Sequence, residues 1–357
     1  MRVTFLLSSL WLSGGVLLVV DYANRLQQRG HHVTLVIPGG ASDPAVCQKL
    51  VAGVQLIEGK LPFTRPTPWW KLAWYVVDLV RVTPRSDVVI ATHTPTTIPA
   101  LLLPLFQKAR YLAWLYMDYD EMFRQRPLER LLLRWMPRFF ALIMTISQPL
   151  ADHVRGRTKG TVVVTGAGLA REEHFSTPLL PKVCDAKFRV LYVGDQRPRK
   201  GLHEFLAAMA LVYQQAPNLE LVIVAKEPVT IATPVPYQLH IYPTDEALAA
   251  LYTHCDLFVS SSWGEGLGYP PLEAMACNTP VVLTDSIGVR DYARNEVNCL
   301  VVPPREPAAI AAATLRLAQD RALAQRLVEQ GKVTVDHYQW DRVIDRIENA
   351  LTSLLKA

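Results

Sequence analysis

Short apolar runs alternate along the chain with stretches of helical periodicity, and this alternation restricts the fold more than any other feature. In the first half the runs lie at residues 3–7, 33–37, 87–91, 111–117 and 140–147. Runs of this length are typical of buried strands, and the helical stretches between them indicate βαβ units. The sequence therefore predicts an α/β fold with a parallel sheet.

The same alternation begins again near residue 188. The predicted strands there are 189–193, 220–225, 239–242, 256–260 and 281–284, and the predicted helices are 202–215, 245–255, 272–277, 308–330 and 340–355. At 357 residues the chain exceeds one ordinary core and suits two domains. We expect two Rossmann-like domains, residues 1–175 with a returning helix at 341–357 and residues 187–340, joined by a polar linker at 176–186. Tandem sheets of this kind are expected to bind ligands in a cleft that the carboxyl ends of their strands face.

Composition and cysteine usage exclude several classes of protein. Half of the residues are apolar and 19% are charged, which excludes extended disorder. The five cysteines are scattered, without a CxxC pair or a histidine at ligand spacing. Neither a disulfide framework nor a zinc site is therefore expected, and a cytoplasmic location is favoured. The apolar run at residues 3–20 is interrupted by Ser13-Gly14-Gly15, which favours a strand, turn and helix over a signal peptide or membrane span. The sequence contains no nucleic-acid motif.

Positive charge and tryptophan are concentrated in the first half of the chain. Residues 1–175 hold 20 Lys and Arg against 12 Asp and Glu, together with six of the eight tryptophans, whereas residues 176–357 hold 17 against 20. Three tryptophans flank a lysine at residues 69–75. Four arginines recur at four-residue steps beside apolar residues, namely Arg126, Arg130, Arg134 and Arg138. Such a face suits an anionic membrane surface, and a core-packed helix with a solvated arginine stripe is the alternative.

The segment from Ser260 to Glu273 carries the most chemistry. A predicted strand ends at Ser260, a glycine-containing loop follows, and two prolines open a helix. The free N–H groups of such a first turn attract a phosphate, and Gly266 and Gly268 allow close approach. Glu273, placed in the first helical turn, could accept hydrogen bonds from a ribose, and Glu265 would point at what lies beyond the diphosphate. The alternative is that Glu273 only complements the helix dipole and Glu265 is a solvated loop residue.

This segment resembles the E-x7-E motif of the retaining glycosyltransferases of the GT-B fold, family GT4. The stretch 193–201, with Lys200-Gly201 opening a helix, is similar to the diphosphate-binding loop of that family, and Ser13-Gly14-Gly15 matches its N-terminal glycine turn. Segments 166–175, 279–289 and 298–304 also match, so the likeness covers almost the whole chain in the expected order.

The resemblance implies a role for each matched residue. Lys200, with Arg199 beside it, would neutralise the diphosphate as it becomes a leaving group, and Glu265 would bind sugar hydroxyls. The family commonly has an arginine where this chain has Asp195, so Arg197 or Arg199 must supply the second cation. The donor-binding positions would be Gly14, Gly15, Arg197, Gly266, Gly268, Tyr269 and Glu273, the last on the ribose.

The reaction implied is transfer of a sugar, with retention of anomeric configuration, from a UDP- or GDP-linked donor to a lipid-linked or polysaccharide acceptor. The alternatives are a sugar-nucleotide 2-epimerase-type enzyme on the same scaffold and a catalytically silent nucleotide-sugar-binding protein. The scheme requires no metal or other cofactor. The location implied is cytoplasmic, at the inner face of a membrane if the basic stretch binds lipid.

Two features of the first half are less specific. His93 follows the predicted strand 87–91 and is expected either to act on the acceptor or to be structural. Asp118-Tyr119-Asp120 has the DxD spacing by which metal-dependent transferases of another fold hold a divalent cation, although a lone DxD is a weak signal.

Overall fold

The computed structural model describes residues 1–62, 69–123, 125–169, 175 and 186–356, and the side chains of residues 62 and 69–72 lie outside that description. The chain forms two compact units. Unit 1 consists of residues 1–167 and 340–357, and unit 2 of residues 168–339. Most of the predicted linker, residues 176–185, lies outside the described part of the chain.

Unit 1 is built on a parallel sheet that, within the described residues, has seven strands in the order β3-β2-β1-β4-β5-β6-β7. The strands are β1 (Arg2–Leu6), β2 (His32–Gly39), β3 (Gln55–Pro62), β4 (Ser86–Ala91), β5 (Ala109–Tyr116), β6 (Leu142–Thr145) and β7 (Thr161–Val164). Strand β1 is central, and its Val3 pairs with Val33 on one side and Val88 on the other. Both faces of these inner strands are buried, which explains their continuous apolar runs.

The two edge strands of this sheet were not predicted. Strand β3 carries Glu58 and Lys60, and β7 is only half buried along its length. An edge strand needs less apolar surface than a central one, so neither segment contains the run that marks the inner strands.

The helices of unit 1 connect these strands. They are α1 (Gly14–Gln28), α2 (Pro44–Cys47), α3 (Trp69–Val82), α4 (Thr97–Leu102), α5 (Pro127–Trp135), α6 (Gln148–Arg155) and α12 (Trp340–Lys356). The returning C-terminal helix is confirmed, since α12 contacts α1 and β6. Trp340 packs edge-on against Tyr22 of α1, and Arg29 pairs with Asp345 and Glu348.

Unit 2 is built on a second parallel sheet, with six strands among the described residues in the order β10-β9-β8-β11-β12-β13. The strands are β8 (Phe188–Gly194), β9 (Leu219–Ala225), β10 (Tyr237–Ile241), β11 (Leu257–Ser260), β12 (Val281–Thr284) and β13 (Leu300–Val302). The helices are α7 (Leu202–Gln215), α8 (Asp245–His254), α9 (Tyr269–Ala276), α10 (Pro307–Gln319) and α11 (Arg321–Val335). Two Rossmann-like parallel sheets with flanking helices confirm the predicted fold class.

The single helix predicted at 308–330 is wrong, because the chain breaks at Asp320. Asp320 ends α10 with non-helical dihedrals, and its carboxylate accepts a hydrogen bond of 2.8 Å from the Leu323 amide. An aspartate favours this capping position because its side chain satisfies an amide that has no partner in the first turn. Within the described residues, no helix has the length and apolarity that crossing a bilayer requires.

Candidate active site

Three loops of unit 2 meet at one end of its sheet, where they follow the carboxyl ends of β8, β11 and β12. Backbone contacts join them: the Trp263 amide donates to the Arg199 carbonyl (2.7 Å), and the Glu265 amide donates to the Ser286 carbonyl (3.2 Å). The Ser261 hydroxyl donates to the Gly201 carbonyl at 2.7 Å. Since this end of a parallel sheet is where ligands bind in α/β folds, the junction is the candidate site.

Glu265 lies at the centre of this junction, next to two cations. Its carboxylate accepts hydrogen bonds from Lys200 Nζ (2.7 Å) and from the Arg199 guanidinium (3.2 Å), and the residue is 9% exposed. Burial alone would raise the pKa of this carboxyl, but the charges of Lys200 and Arg199 outweigh it and hold the pKa at about 2. Glu265 is therefore ionised at neutral pH, and the alternative of a solvated loop residue is wrong.

The side chains of Arg197 and Arg199 point to different partners. Arg197 donates two hydrogen bonds to the carboxylate of Asp195, at 2.8 and 2.5 Å. Burial would raise the pKa of Asp195, but Arg197 lowers it to about 2. Arg199 instead donates to the Gly264 carbonyl (2.8 Å) and to Glu265. Of the two candidate cations, Arg199 is thus the one next to Glu265 and Lys200.

Gly201 fixes the position of these cations relative to the neighbouring loop. Its φ is +68°, a left-handed conformation that glycine adopts without strain, and it caps the N-terminus of α7. A Cβ at this position would lie 2.1 Å from the Ser261 carbonyl oxygen, a backbone atom that cannot rotate away.

We expect Gly201→Ala to lower the free energy of unfolding by about 2 kcal/mol, because overpacking and a left-handed φ both penalise a side chain there. Chemical denaturation measures the change. Gly156→Ala is the matched control, since φ at Gly156 is −72° and a Cβ there would meet nothing within 4 Å. Equal effects of the two substitutions would contradict the close approach.

Glu273 is held differently from the way the sequence suggested. Helix α9 begins at Tyr269, so Glu273 is its fifth residue, beyond the first turn in which the sequence placed it. The side chain is 2% exposed, and the Tyr252 hydroxyl donates to its carboxylate at 2.8 Å. The contact with Tyr252 therefore sets the orientation of this carboxylate.

The segment after β12 holds the glycine loop in place, and the sequence did not single it out for this role. A Cβ on Gly288 would lie 2.2 Å from the Glu265 carbonyl oxygen, and the Tyr292 hydroxyl donates to the Gly268 carbonyl at 2.8 Å. Gly268 has a φ of +84° and caps the start of α9. The one visible signal was Gly288 itself, a glycine shortly after a strand.

Ile287 adopts a strained backbone at this junction. Its φ and ψ are +57° and −64°, and the Gly288 amide donates to the Ser286 carbonyl across it at 2.7 Å, which defines a γ-turn. A β-branched residue at positive φ is rare and persists only when the surrounding contacts enforce it. Ile287 also pairs with Glu265 in an isolated parallel bridge, so the strained turn lies directly beside the acid.

In unit 1, the glycine turn and His93 lie side by side. Ser13 caps α1, its hydroxyl accepting from the Val16 amide, and Gly14 opens the helix. A Cβ on Gly15 would lie 3.8 Å from His93 Nε2, and His93 Nδ1 is 2.8 Å from the Thr92 hydroxyl. Burial lowers the pKa of His93 to about 4, so the imidazole is neutral at pH 7. A neutral imidazole at a helix N-terminus can exchange hydrogen bonds with a ligand there.

Asp120 of the DxD sequence is buried inside a group of cations. Its carboxylate accepts from Arg134 Nε (2.6 Å) and Arg157 (2.6 Å), and it contacts His153 Nε2 (2.9 Å) and Arg130 (3.6 Å). Burial would raise the pKa of this carboxyl, but the arginines hold it well below its usual range. The carboxylate thus has cationic partners from the protein itself.

These partners argue against a metal at the DxD sequence. One ligand atom each from Asp120, Glu121 and His153 lies within 4.8 Å of the others, a spacing that could suit an ion. The arginines already around Asp120 would repel a divalent cation, and the carboxylate oxygens are engaged by their N–H groups. The residues present do not fit a divalent cation at this place.

The arginine stripe predicted at four-residue steps is only partly correct. Helix α5 ends at Trp135, so Arg138 lies in the following 3₁₀ turn (Met136–Phe139). Two arginines reach Asp120, Arg126 pairs with Glu129, and Arg138 stacks over Trp135. A uniform, solvated row of cations is therefore not what the helix presents.

Two family models match the chain, one over each half. The model described as Glycosyltransferase Family 4 matches residues 12–169, and the model described as Glycosyl transferases group 1 matches residues 182–334. The chain spans less than half the length of the first curated relatives it matches. It is 26% identical to the phosphatidyl-myo-inositol mannosyltransferase of Propionibacterium freudenreichii, over 90% of this chain and 86% of that protein.

Solved structures share the fold across the whole length. Sucrose-phosphate synthase from Thermosynechococcus elongatus superposes with a TM-score of 0.85 at 19% identity, covering 99% of each chain. HepE of Anabaena, in complex with UDP-glucose, superposes with a TM-score of 0.77 at 18% identity, covering 99% of this chain and 100% of that one. Two Rossmann-like domains, as in the GT-B fold of these proteins, together with family models over both halves, show that the chain belongs to the glycosyltransferases of the GT4 type.

Proposed function

We propose that this protein transfers a sugar from a nucleoside diphosphate sugar to an acceptor hydroxyl, with retention of anomeric configuration. The observation that carries the proposal is the cluster of Glu265, Lys200 and Arg199 at the carboxyl ends of the unit 2 strands. It provides two cations for a diphosphate and one ionised acid for hydroxyl groups. The UDP-glucose bound by HepE is the kind of donor that such a cluster suits.

In this proposal the donor diphosphate exchanges partners with Glu265. Lys200 and Arg199, which bond to Glu265 in the structure, donate to the phosphate oxygens and stabilise the charge that develops there as the bond breaks. Glu265 then accepts hydrogen bonds from sugar hydroxyls. Glu273 accepts from the ribose, with Tyr252 fixing its orientation. Gly266 and Gly268 precede α9, Tyr269 opens it, and the positive end of the helix dipole would favour the diphosphate.

The chemical step needs no covalent enzyme intermediate. The bond between C1 of the sugar and the phosphate oxygen breaks, and its electron pair stays on the nucleoside diphosphate. The acceptor oxygen forms the new bond to C1 from the same face, and its proton passes to the leaving phosphate. In unit 1, the backbone amides of Gly14 and Gly15 would donate hydrogen bonds to the donor phosphate. The neutral His93 would form a hydrogen bond with a hydroxyl group of the acceptor.

The acceptor is proposed to be lipid-linked or a growing glycan. If the acceptor is lipid-linked, the protein is expected to work at the inner face of a membrane. The mannosyltransferase of Propionibacterium freudenreichii has a phospholipid in its name, and that name describes that protein. A 2-epimerase on the same scaffold would convert the donor without an acceptor, and a silent binding protein would leave the donor intact.

Nucleotide release from a panel of UDP-, GDP- and ADP-linked sugars tests the proposal. The purified chain is incubated with each donor, with and without chelator, and the nucleoside diphosphate and the sugar configuration are measured. We expect release from at least one donor, with or without chelator, and a product that keeps the anomeric configuration. Release with an epimerised sugar, or no release from any donor in the presence of candidate acceptors, would overturn it.

Arg199 and Arg197 should differ in their effects on donor binding. We expect Arg199→Ala to weaken nucleoside diphosphate binding by roughly tenfold or more, since a charge-assisted hydrogen bond to phosphate is lost. Arg197→Ala is the matched control, because its guanidinium is held by Asp195, and we expect a change of about threefold at most. Calorimetric titration of the preferred nucleotide measures both. A larger loss for Arg197→Ala would reverse the assignment.

A further inference from the structure

The turn at Ile287 carries backbone strain that burial of its side chain does little to offset. Ile287 is 37% exposed, whereas the nearby Ser286 and Val289 are each 1% exposed. A glycine would adopt the same φ of +57° without strain, and the chain places a glycine only at the next position. Strain that a side chain does not repay by packing is concentrated at functional sites, so the choice of isoleucine here points to a role in the site.

Two contacts hold this turn against the loop that carries Glu265. The Glu265 amide donates to the Ser286 carbonyl at 3.2 Å. A Cβ on Gly288 would lie 2.2 Å from the Glu265 carbonyl oxygen and 2.5 Å from that of Gly266, so the two backbones touch. Ile287 lies between these contacts and pairs with Glu265 in the isolated bridge. It is thereby fixed beside the acid, because relaxing its φ would separate the two loops.

Ile287 gives this side of the site an apolar surface. Asp285 and Arg290, the charged residues of the same segment, bond to each other through two contacts of 2.6 Å. The carboxylate of Glu265 is ionised and accepts from two cations. A sugar whose hydroxyls reach Glu265 therefore has the partly exposed isoleucine as its neighbour from the turn after β12.

We propose that Ile287 selects the donor sugar by packing against a ring carbon that carries only hydrogen on the side facing it. The inference deepens the proposed function and rests on it, since it assigns the sugar to Glu265. A hydroxyl directed at Ile287 would lose its water and gain no hydrogen-bond partner, so the epimer with that hydroxyl is disfavoured. An apolar contact of this size discriminates by roughly tenfold to a hundredfold.

Selectivity between epimeric donors tests this role. Nucleotide release is measured for three pairs, and kcat/KM is compared within each: UDP-glucose and UDP-galactose, UDP-N-acetylglucosamine and UDP-N-acetylgalactosamine, and GDP-mannose and GDP-glucose. We expect the unchanged chain to prefer one member of a pair by about tenfold or more, and Ile287→Gly to reduce that preference to about threefold or less. Ile287→Val keeps a β-branched apolar side chain and should retain most of the preference. Binding of the nucleoside diphosphate without its sugar should be unchanged in both variants.

Asn278→Gly is the matched control for the change of backbone. Asn278 also has a positive φ, of +60°, and it is exposed beyond the C-terminal end of α9, the end opposite to the glycine loop. This variant should leave the preference between epimers unchanged. Urea denaturation should give Ile287→Gly a midpoint no lower than that of Asn278→Gly, because a positive φ strains a β-branched residue more than an asparagine.

The outcomes separate this inference from the proposed function. Equal preference in the unchanged chain and Ile287→Gly, or no preference within any pair, would overturn the role of Ile287 and leave the transferase function standing. A midpoint of Ile287→Gly clearly below that of Asn278→Gly would assign the isoleucine to packing and would also overturn its role. Release from none of the donors would overturn the proposed function and this inference with it.

Discussion

Replacement of Lys200 by alanine is expected to lower the rate of nucleoside diphosphate release by about 10²- to 10³-fold, because the cation stabilises charge that develops as the bond to the phosphate breaks. Lys200 Nζ lies 2.7 Å from Glu265 and its side chain is 13% exposed, so water cannot readily substitute for it. Binding of the nucleoside diphosphate should weaken less than the rate falls, since the interaction is strongest in the transition state. Steady-state nucleotide release and calorimetric titration measure the two effects.

Glu265→Gln is the informative counterpart of this variant. It removes the acid that neutralises Lys200 and Arg199 but keeps the shape of the side chain. We expect nucleotide release to fall by a similar factor while the nucleoside diphosphate binds severalfold more tightly, because two cations lose their competing partner. Lys332→Ala, on the exposed side of α11, serves as the control for a lost positive charge. Equal losses of binding in the Lys200 and Glu265 variants would contradict the exchange of partners.

Asp120→Asn is expected to destabilise unit 1 by about 2–4 kcal/mol, because a buried carboxylate that partners several cations loses its charge and leaves them unpaired. Solvent reaches the arginines, whose side chains are 24% to 46% exposed, and this favours the lower part of that range. Chemical denaturation measures the change. Asp152→Asn, which removes an exposed partner of Arg155, is the matched control and should change stability by less than about 1 kcal/mol.

The pH dependence of stability gives the same prediction a second readout. Since the pKa of Asp120 is lower in the folded chain than in the unfolded one, the carboxylate stabilises the fold above its unfolded pKa of about 3.9. That contribution is lost as the pH falls towards the folded pKa. The unchanged protein should therefore lose stability more steeply below about pH 5 than Asp120→Asn does. Parallel curves for the two proteins would show that Asp120 does not carry the charge interaction.

The strands that the sequence identified are those buried on both faces. Residues 281–284 were predicted with the bounds that β12 has, and helix 202–215 with those of α7, because an apolar run or a helical period marks each without ambiguity. The edge strands β3 and β7 were missed because a strand at the edge of a sheet is partly exposed and does not need a continuous apolar run. The break at Asp320 was missed because the apolar period continues across it, and a cap depends on one side chain.

For the candidate site, the sequence indicated which residues lie together better than how they are held. Resemblance pointed to Lys200, Arg199 and Glu265, and the structure brings their side chains together. The sequence could not show that Arg197 pairs with Asp195. Arg197 and Arg199 lie on the same loop as Asp195, and spacing alone does not tell which of them bonds to it. Tyr252, which orients Glu273, comes from another helix with no pattern of its own. Contacts of this kind depend on tertiary packing, which a single sequence does not encode locally.

The central claim is that the cluster around Glu265 and Lys200 binds the diphosphate of a sugar nucleotide. Calorimetric titration of UDP and GDP into the unchanged chain, Lys200→Ala and Lys332→Ala tests it most directly. We expect one nucleotide to bind with one site per chain, roughly tenfold or more weaker binding in Lys200→Ala, and no change in Lys332→Ala. Binding of neither nucleotide to the unchanged chain, or equal binding to Lys200→Ala, would contradict the claim.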